Sequence, residues 1–199
     1  MAYPDFLIFE LVGIAAFILT SYHSSVRKGV WPTLVFLLPA ALWGFIIEFM
    51  TQEVFMRYHY GSEFMLYLLN VPLCIALYWA VLIYWGYKLA KGRLRLKNRA
   101  QVGLVTAIPL LAIDFLILEP LAKTFGYWVW TPETIWFGAP IGNFVGWFTV
   151  IFLYAVSYDF SVSRFKEPKK QLALNLALII PSLTLLLVIL KLWGMSIGL

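Results

Sequence analysis

Six apolar stretches, each long enough to cross the hydrocarbon of a bilayer, leave this chain little choice of fold. They run roughly over 6–22, 33–50, 64–87, 100–121, 138–158 and 172–193, against a need of about 17–25 residues per crossing helix. Backbone polar groups inside a membrane must pair within their own segment, so such runs become helices. Only 13% of the residues are charged and 62% are hydrophobic, about half the charge of an ordinary soluble domain. No Ser/Gly-rich or Pro-rich linker divides the chain. The expectation is one all-α integral membrane domain over 1–199, a polytopic bundle of about six transmembrane helices.

The charges orient it. Arg27 and Lys28 lie after the first run. Lys88, Lys91, Arg93, Arg95, Lys97 and Arg99 lie after the third. Arg164, Lys166, Lys169 and Lys170 lie after the fifth. These are twelve of the fifteen basic residues, and only Arg57, Lys123 and Lys191 fall on the other side. The positive-inside rule then predicts an N-out, C-out topology. The pI near 9.3 reports this orientation and contact with anionic lipid rather than nucleic-acid binding. The start "MAYPDFLIFELVG" has no basic n-region, so the first run reads as a retained helix. A prokaryotic cytoplasmic membrane is the expected location. The single cysteine, Cys74, rules out an intrachain disulfide and reads as a small core residue. Two histidines and no Glu-x-x-His argue against a di-iron bundle. Neither metal nor cofactor is expected.

A weak repeat of helical hairpins, roughly 33–87 and 100–158, runs through the chain. Glu48, Glu53, Pro72 and Trp79 match Asp114, Glu119, Pro140 and Trp147 at offsets of 66, 66, 68 and 68 residues. A carboxylate at mid-membrane depth costs about 2.5–3.5 kcal/mol on insertion scales, so Asp114 and Glu119 in one span ask for a task. At 1.5 Å per residue, Glu10, Glu48, Asn70, Asp114 and Asn143 converge on the outer half of the bilayer. Gly138, Gly142 and Gly146 recur every four residues, a stripe that predicts close helix approach. Aromatic residues, 18% of the chain, crowd the outer loops. Trp128, Trp130 and Trp136 form either an interfacial belt or a pocket whose π faces steady a cation. Glu10 reads as a helix-to-helix hydrogen-bonding group, and Glu53 and Glu133 as solvated loop residues. His59 suits an exposed or structural role as readily as proton transfer, and Asp159, beside the basic loop, reads as an ion-pair partner.

With no Gly-rich phosphate loop, G-x-S-x-G elbow or haem-attachment motif, what remains is acid–base chemistry on a hydrophobic substrate. A carboxyl group as general acid is typically worth about 10²–10⁴-fold. With an ionised partner for water and aromatic faces for a carbocation, the set suits protonation of an alkene followed by capture of water.

The run "EPLAKTFGYWVWTPETIWFGAPIGNFVGW" carries Glu119–Pro120, Gly126 to Trp130, Gly138–Pro140 and Asn143 to Trp147. It resembles the second signature of the membrane-bound carotenoid biosynthesis proteins, which include carotenoid hydratases. "YHYGSEFMLYLLNVPLCIALYW" resembles the earlier signature, and the likeness spans roughly 48–155. The resemblance implies a cofactor-independent hydratase adding water to a terminal C=C of a carotenoid. On that reading Asp114 donates the proton and Glu48 or Glu119 holds water. Tyr58, His59, Trp128, Trp130 and Trp147 line the site, and Asn143 hydrogen-bonds a carboxyl or the incoming water. A related enzyme would isomerise or cyclise the same end group. The competing readings are a non-catalytic subunit binding a carotenoid, quinone or other isoprenoid, within an oligomer or larger complex, and a small proton-coupled transporter.

Overall fold

A computed structural model describes residues 3–54, 57–131 and 134–192; Glu133 lies outside them. The expected helical bundle is present, with six helical stretches long and apolar enough to cross a membrane: Asp5–Lys28, Val30–Glu53, Leu73–Arg93, Arg99–Phe125, Ile141–Arg164 and Pro168–Ile189. Within them run α1 (Tyr3–Lys28), α2 (Val30–Phe49), α3 (Leu73–Lys88), α4 (Arg99–Ile113), α5 (Glu119–Phe125), α6 (Ile141–Arg164), α7 (Pro168–Ala177) and α8 (Ile179–Leu192). Long apolar side chains such as Ile8, Leu11, Leu19, Ile180 and Val188 point outward, as a bilayer requires of the rim of a bundle. One end of the bundle carries the basic connections and the other the aromatic loops.

Two boundaries differ from the sequence expectation. The third span starts at Leu73 rather than near residue 64, because Glu10 takes the backbone N–H groups of Met65 and Leu66 at 2.9 and 3.0 Å. Leu69 adopts positive φ, and Pro72 is extended just ahead of the helix. The freed segment forms a short antiparallel pair, β2 (Tyr67–Leu68) with β3 (Val71–Pro72). The fifth span starts at Ile141 rather than 138, because Gly138 has φ +96° and Pro140 is extended. A second pair, β1 (Tyr58–Tyr60) with β4 (Trp128–Trp130), caps the aromatic end.

α4 packs mainly along α6, and α2 along α3. At the start of α4 the Asn98 side chain accepts from the N–H groups of Ala100 and Gln101, capping the helix. At the basic end Asp159 accepts from Tyr87 at 2.9 Å and pairs with Lys91 at 2.8 Å, the ion-pair role expected of it. In the core the indole of Trp43 donates to the Val150 carbonyl at 3.2 Å, and the Tyr154 hydroxyl donates to the Phe36 carbonyl at 2.5 Å.

Of the glycine stripe, Gly138 and Gly146 are not where helices close up. A Cβ at Gly146 would meet nothing within 4 Å, and Gly138 lies in the turn before the helix. Close approach occurs at Gly44, where a Cβ would stand 2.4 Å from Trp79 Cβ and Cγ, and at Gly103, 2.6 Å from Phe152. Gly44→Ala is therefore expected to displace Trp79 and cost about 1–3 kcal/mol, the usual penalty for overpacking. Gly146→Ala should leave the melting temperature unchanged. Thermal unfolding of the two variants in detergent checks both.

Candidate functional site

A five-residue spacing does not bring two side chains together on an α-helix. At 3.6 residues per turn they stand about 140° apart. Asp114–Leu118 is instead a π-helical turn, with the Glu119 N–H bonded to the Asp114 carbonyl. That i to i+5 bond turns Asp114 and Glu119 toward the same side, and π-turns of this kind recur at functional sites. Both are buried, at 0% and 2% exposure. A second π-turn, Met50–Val54, follows Glu48. There Glu48 turns inward, while Glu53 stays exposed and accepts from Asn70 at 2.7 Å.

The β1–β4 pair completes the wall. Its register sets Tyr58 opposite Trp130, His59 opposite Val129 and Tyr60 opposite Trp128. Because strand side chains alternate between faces, Tyr58, Tyr60, Trp128 and Trp130 share the face toward the bundle. His59 and Val129 share the other and are exposed. His59 is thus not brought to the site. The strands are held at both ends by further bonds, from the Gly61 N–H to the Tyr127 carbonyl and from the Thr131 N–H to the Arg57 carbonyl.

Beneath this sheet lies a cleft with about 480 Å³ of empty space, mouth included. Glu48 and Glu119 both line it, together with Tyr58, Tyr60, Trp79, Trp128, Trp130, Asn143 and Trp147. Trp79 stacks on Trp147 with ring centroids 4.4 Å apart. Glu48 accepts from the Trp79 indole at 2.6 Å, from the Tyr60 hydroxyl at 2.6 Å and from the Tyr58 hydroxyl. Glu119 accepts from the Trp130 indole at 2.9 Å, the Trp128 indole at 3.2 Å and the Asn143 amide at 2.8 Å. The same Asn143 nitrogen donates to Asp114 Oδ2 at 2.9 Å. Asp114 Oδ1 is buried without a partner among the described residues, and Asp114 does not line the cleft. It stands behind Asn143.

The two carboxyl groups therefore have different company. Indole and primary-amide N–H groups only donate, whereas a phenol hydroxyl donates or accepts. All three neighbours of Glu119 are donors. Two of the three neighbours of Glu48 are hydroxyls, 3.3 Å from each other. Burial, with the nearby Glu48 carboxyl adding to it, pushes the Tyr60 hydroxyl well above the ordinary tyrosine range. Tyr60 is a neutral phenol throughout the physiological range.

Seven of the nine site residues expected from sequence meet at the cleft wall, and Asp114 supports it from behind. Among the wall residues that sequence reasoning missed are Tyr60 and Trp79. Tyr60 is signalled by strand alternation, two residues from Tyr58. Trp79 is signalled by its indole N–H, which needs a partner when buried in a helical core. Glu10 and Asn70, expected to converge with the acids, instead fasten the 61–72 segment and Glu53. Among the described residues no group of three or more His, Cys, Asp or Glu side chains is arranged to hold a metal ion.

The family model described as carotenoid biosynthesis protein matches residues 6–198. The chain belongs to that family. No curated protein and no solved structure matches the chain. Membership in the carotenoid biosynthesis protein family supports a role in carotenoid biosynthesis, and the six apolar helices make this member a multi-pass membrane protein.

Proposed function

We propose that the protein adds water across the terminal C=C bond of a carotenoid end group, with Glu48 as the proton donor and Glu119 as the group that holds and deprotonates water. The observation that carries this reading is the contrast between the partners of the two carboxyl groups on one aromatic cleft. Glu48 sits among hydroxyls that accept as well as donate, so it can carry a proton. Glu119 faces donors only, which suits an acceptor-only carboxylate. The proton passes from Glu48 to the less substituted alkene carbon, and the π electrons form the new C–H bond. The positive charge is left on the methyl-bearing carbon, where the faces of Trp79, Trp147, Trp128 and Trp130 attract it. Water held by Glu119 adds to that carbon. Its surplus proton goes to Glu119, and transfer back to Glu48 through water in the cleft restores both groups. The product is a tertiary alcohol, heavier than the substrate by one water.

Asp114 is assigned a positioning role through Asn143. Its place behind that amide supports orientation rather than proton donation. The basic end is assigned to the cytoplasm, with N- and C-termini outside, so the cleft lies in the outer half of the bilayer. Mass spectrometry of pigments from lycopene-producing cells expressing the protein tests this reading. A new carotenoid heavier by one water is expected. Lycopene that co-purifies with the protein unchanged would replace the hydratase with a pigment-binding subunit.

A further inference from the structure

The cleft wall is partly exposed at Phe9, Tyr60, Trp128, Asn143 and Trp147 as well as at Tyr78, Leu82 and Leu118, and the last three mark an apolar margin at membrane depth. At its inner end stand Trp79 and Glu48, at 3% and 8% exposure. At its margin Tyr78 and Leu82 of α3 and Leu118 of the π-turn both line the cleft and reach the surface. Counting 1.5 Å per residue from the aromatic ends of their helices, these residues lie about 8–13 Å deep. That is inside a hydrocarbon layer about 30 Å thick, and the preceding residues of the π-turn, Leu116 and Ile117, are exposed apolar side chains.

Toward the basic end α3 and α4 are in contact at Gly86, where a Cβ would meet the Thr106 carbonyl at 3.0 Å and Leu110 at 3.2 Å. Past that point α4 carries Pro109 and then the π-turn, two features that bend a helix. Leu82 and Leu118 line the cleft on the aromatic side of that contact. Above the cleft the β1–β4 pair and the packed rings of Phe6, Phe64 and Tyr127 form a roof.

We infer that the cleft is entered sideways from the hydrocarbon, between α3 and the π-turn, and that it admits only the terminal unit of a long acyclic isoprenoid while the rest of the chain stays in lipid. This rests on the hydratase reading for its occupant. The route itself rests on the depth and apolar character of the mouth.

Nitroxide labels at Leu82→Cys and, separately, Leu118→Cys test it in lipid bilayers, with Leu116→Cys as an outward-facing control and the unsubstituted protein, whose Cys74 is buried, as the blank. At both mouth positions molecular oxygen should collide with the label and a water-soluble nickel chelate should not. Lycopene should lower the oxygen collision rate several-fold at the mouth and leave the control unchanged. Access of the nickel chelate to either mouth label overturns the sideways route. Water addition to lycopene by the unsubstituted protein, with lycopene leaving both mouth labels undisturbed while it still reacts in the labelled proteins, also overturns it while leaving the hydratase standing. Lycopene that the unsubstituted protein does not hydrate and that alters neither label, with the mouth closed to nickel, rejects the isoprenoid reading and this inference with it.

Discussion

Glu48→Gln should abolish measurable water addition while leaving the protein folded and able to bind pigment. An amide has no proton to give, and loss of a general acid typically lowers a rate by about 10²–10⁴-fold. The fold is spared because the site can satisfy the amide. With its oxygen toward the Trp79 indole, the glutamine NH₂ faces Tyr58 and Tyr60, whose hydroxyl oxygens accept. The comparison of turnover with melting temperature and bound pigment is the check. Tyr60→Phe removes one of these neighbours without removing the proton donor and should cost less. A Glu48→Gln protein that still hydrates lycopene at the parental rate would move the acid elsewhere.

Glu119→Gln should be damaging in a second way. Its three neighbours are all N–H donors, so whichever way the amide turns, its NH₂ meets either the two indoles or Asn143. A buried donor left facing another donor costs about 1–3 kcal/mol. The variant is expected to lose activity and to melt at a lower temperature, where Glu48→Gln loses activity alone. Asp114→Asn is the control for this argument. Its own amide oxygen can still accept from Asn143, and its NH₂ replaces an Oδ1 that already has no partner among the described residues, so no hydrogen bond is lost, the fold should hold and activity should fall by less than in either glutamate variant. Thermal unfolding of the three proteins side by side separates these expectations.

The membrane spans were readable because a crossing helix leaves a one-dimensional signal, an uninterrupted apolar run of the right length. Their ends were not, because Glu10 and Met65 are far apart in sequence and nothing local announces that a carboxylate will take that segment's N–H groups out of the helix. The carboxyl residues stood out because charge in hydrocarbon is costly, and Glu48, Asp114 and Glu119 do gather at one place. Which of them faces the cleft depended on a π-turn, and a one-residue change in winding leaves no mark in composition. His59 was grouped with its neighbours as part of an aromatic loop. Once "YHY" is a strand, period two sends it outward and brings Tyr60 in. The glycines of α6 had the spacing of a packing stripe, but spacing alone does not say what stands opposite. Gly44, with no such pattern around it, is the one pressed against Trp79.

The most direct test of the account is the origin of the atoms that are added. The purified protein in lipid is given lycopene in deuterium oxide enriched in oxygen-18, and the product is read by mass spectrometry and NMR. Protonation of the alkene followed by capture of water predicts one deuterium on the carbon next to the new alcohol carbon and one oxygen-18 in the hydroxyl. Deuterium incorporated without oxygen would mean that the protonated end group isomerises or cyclises instead, and an alcohol lacking oxygen-18 would contradict the addition of water altogether.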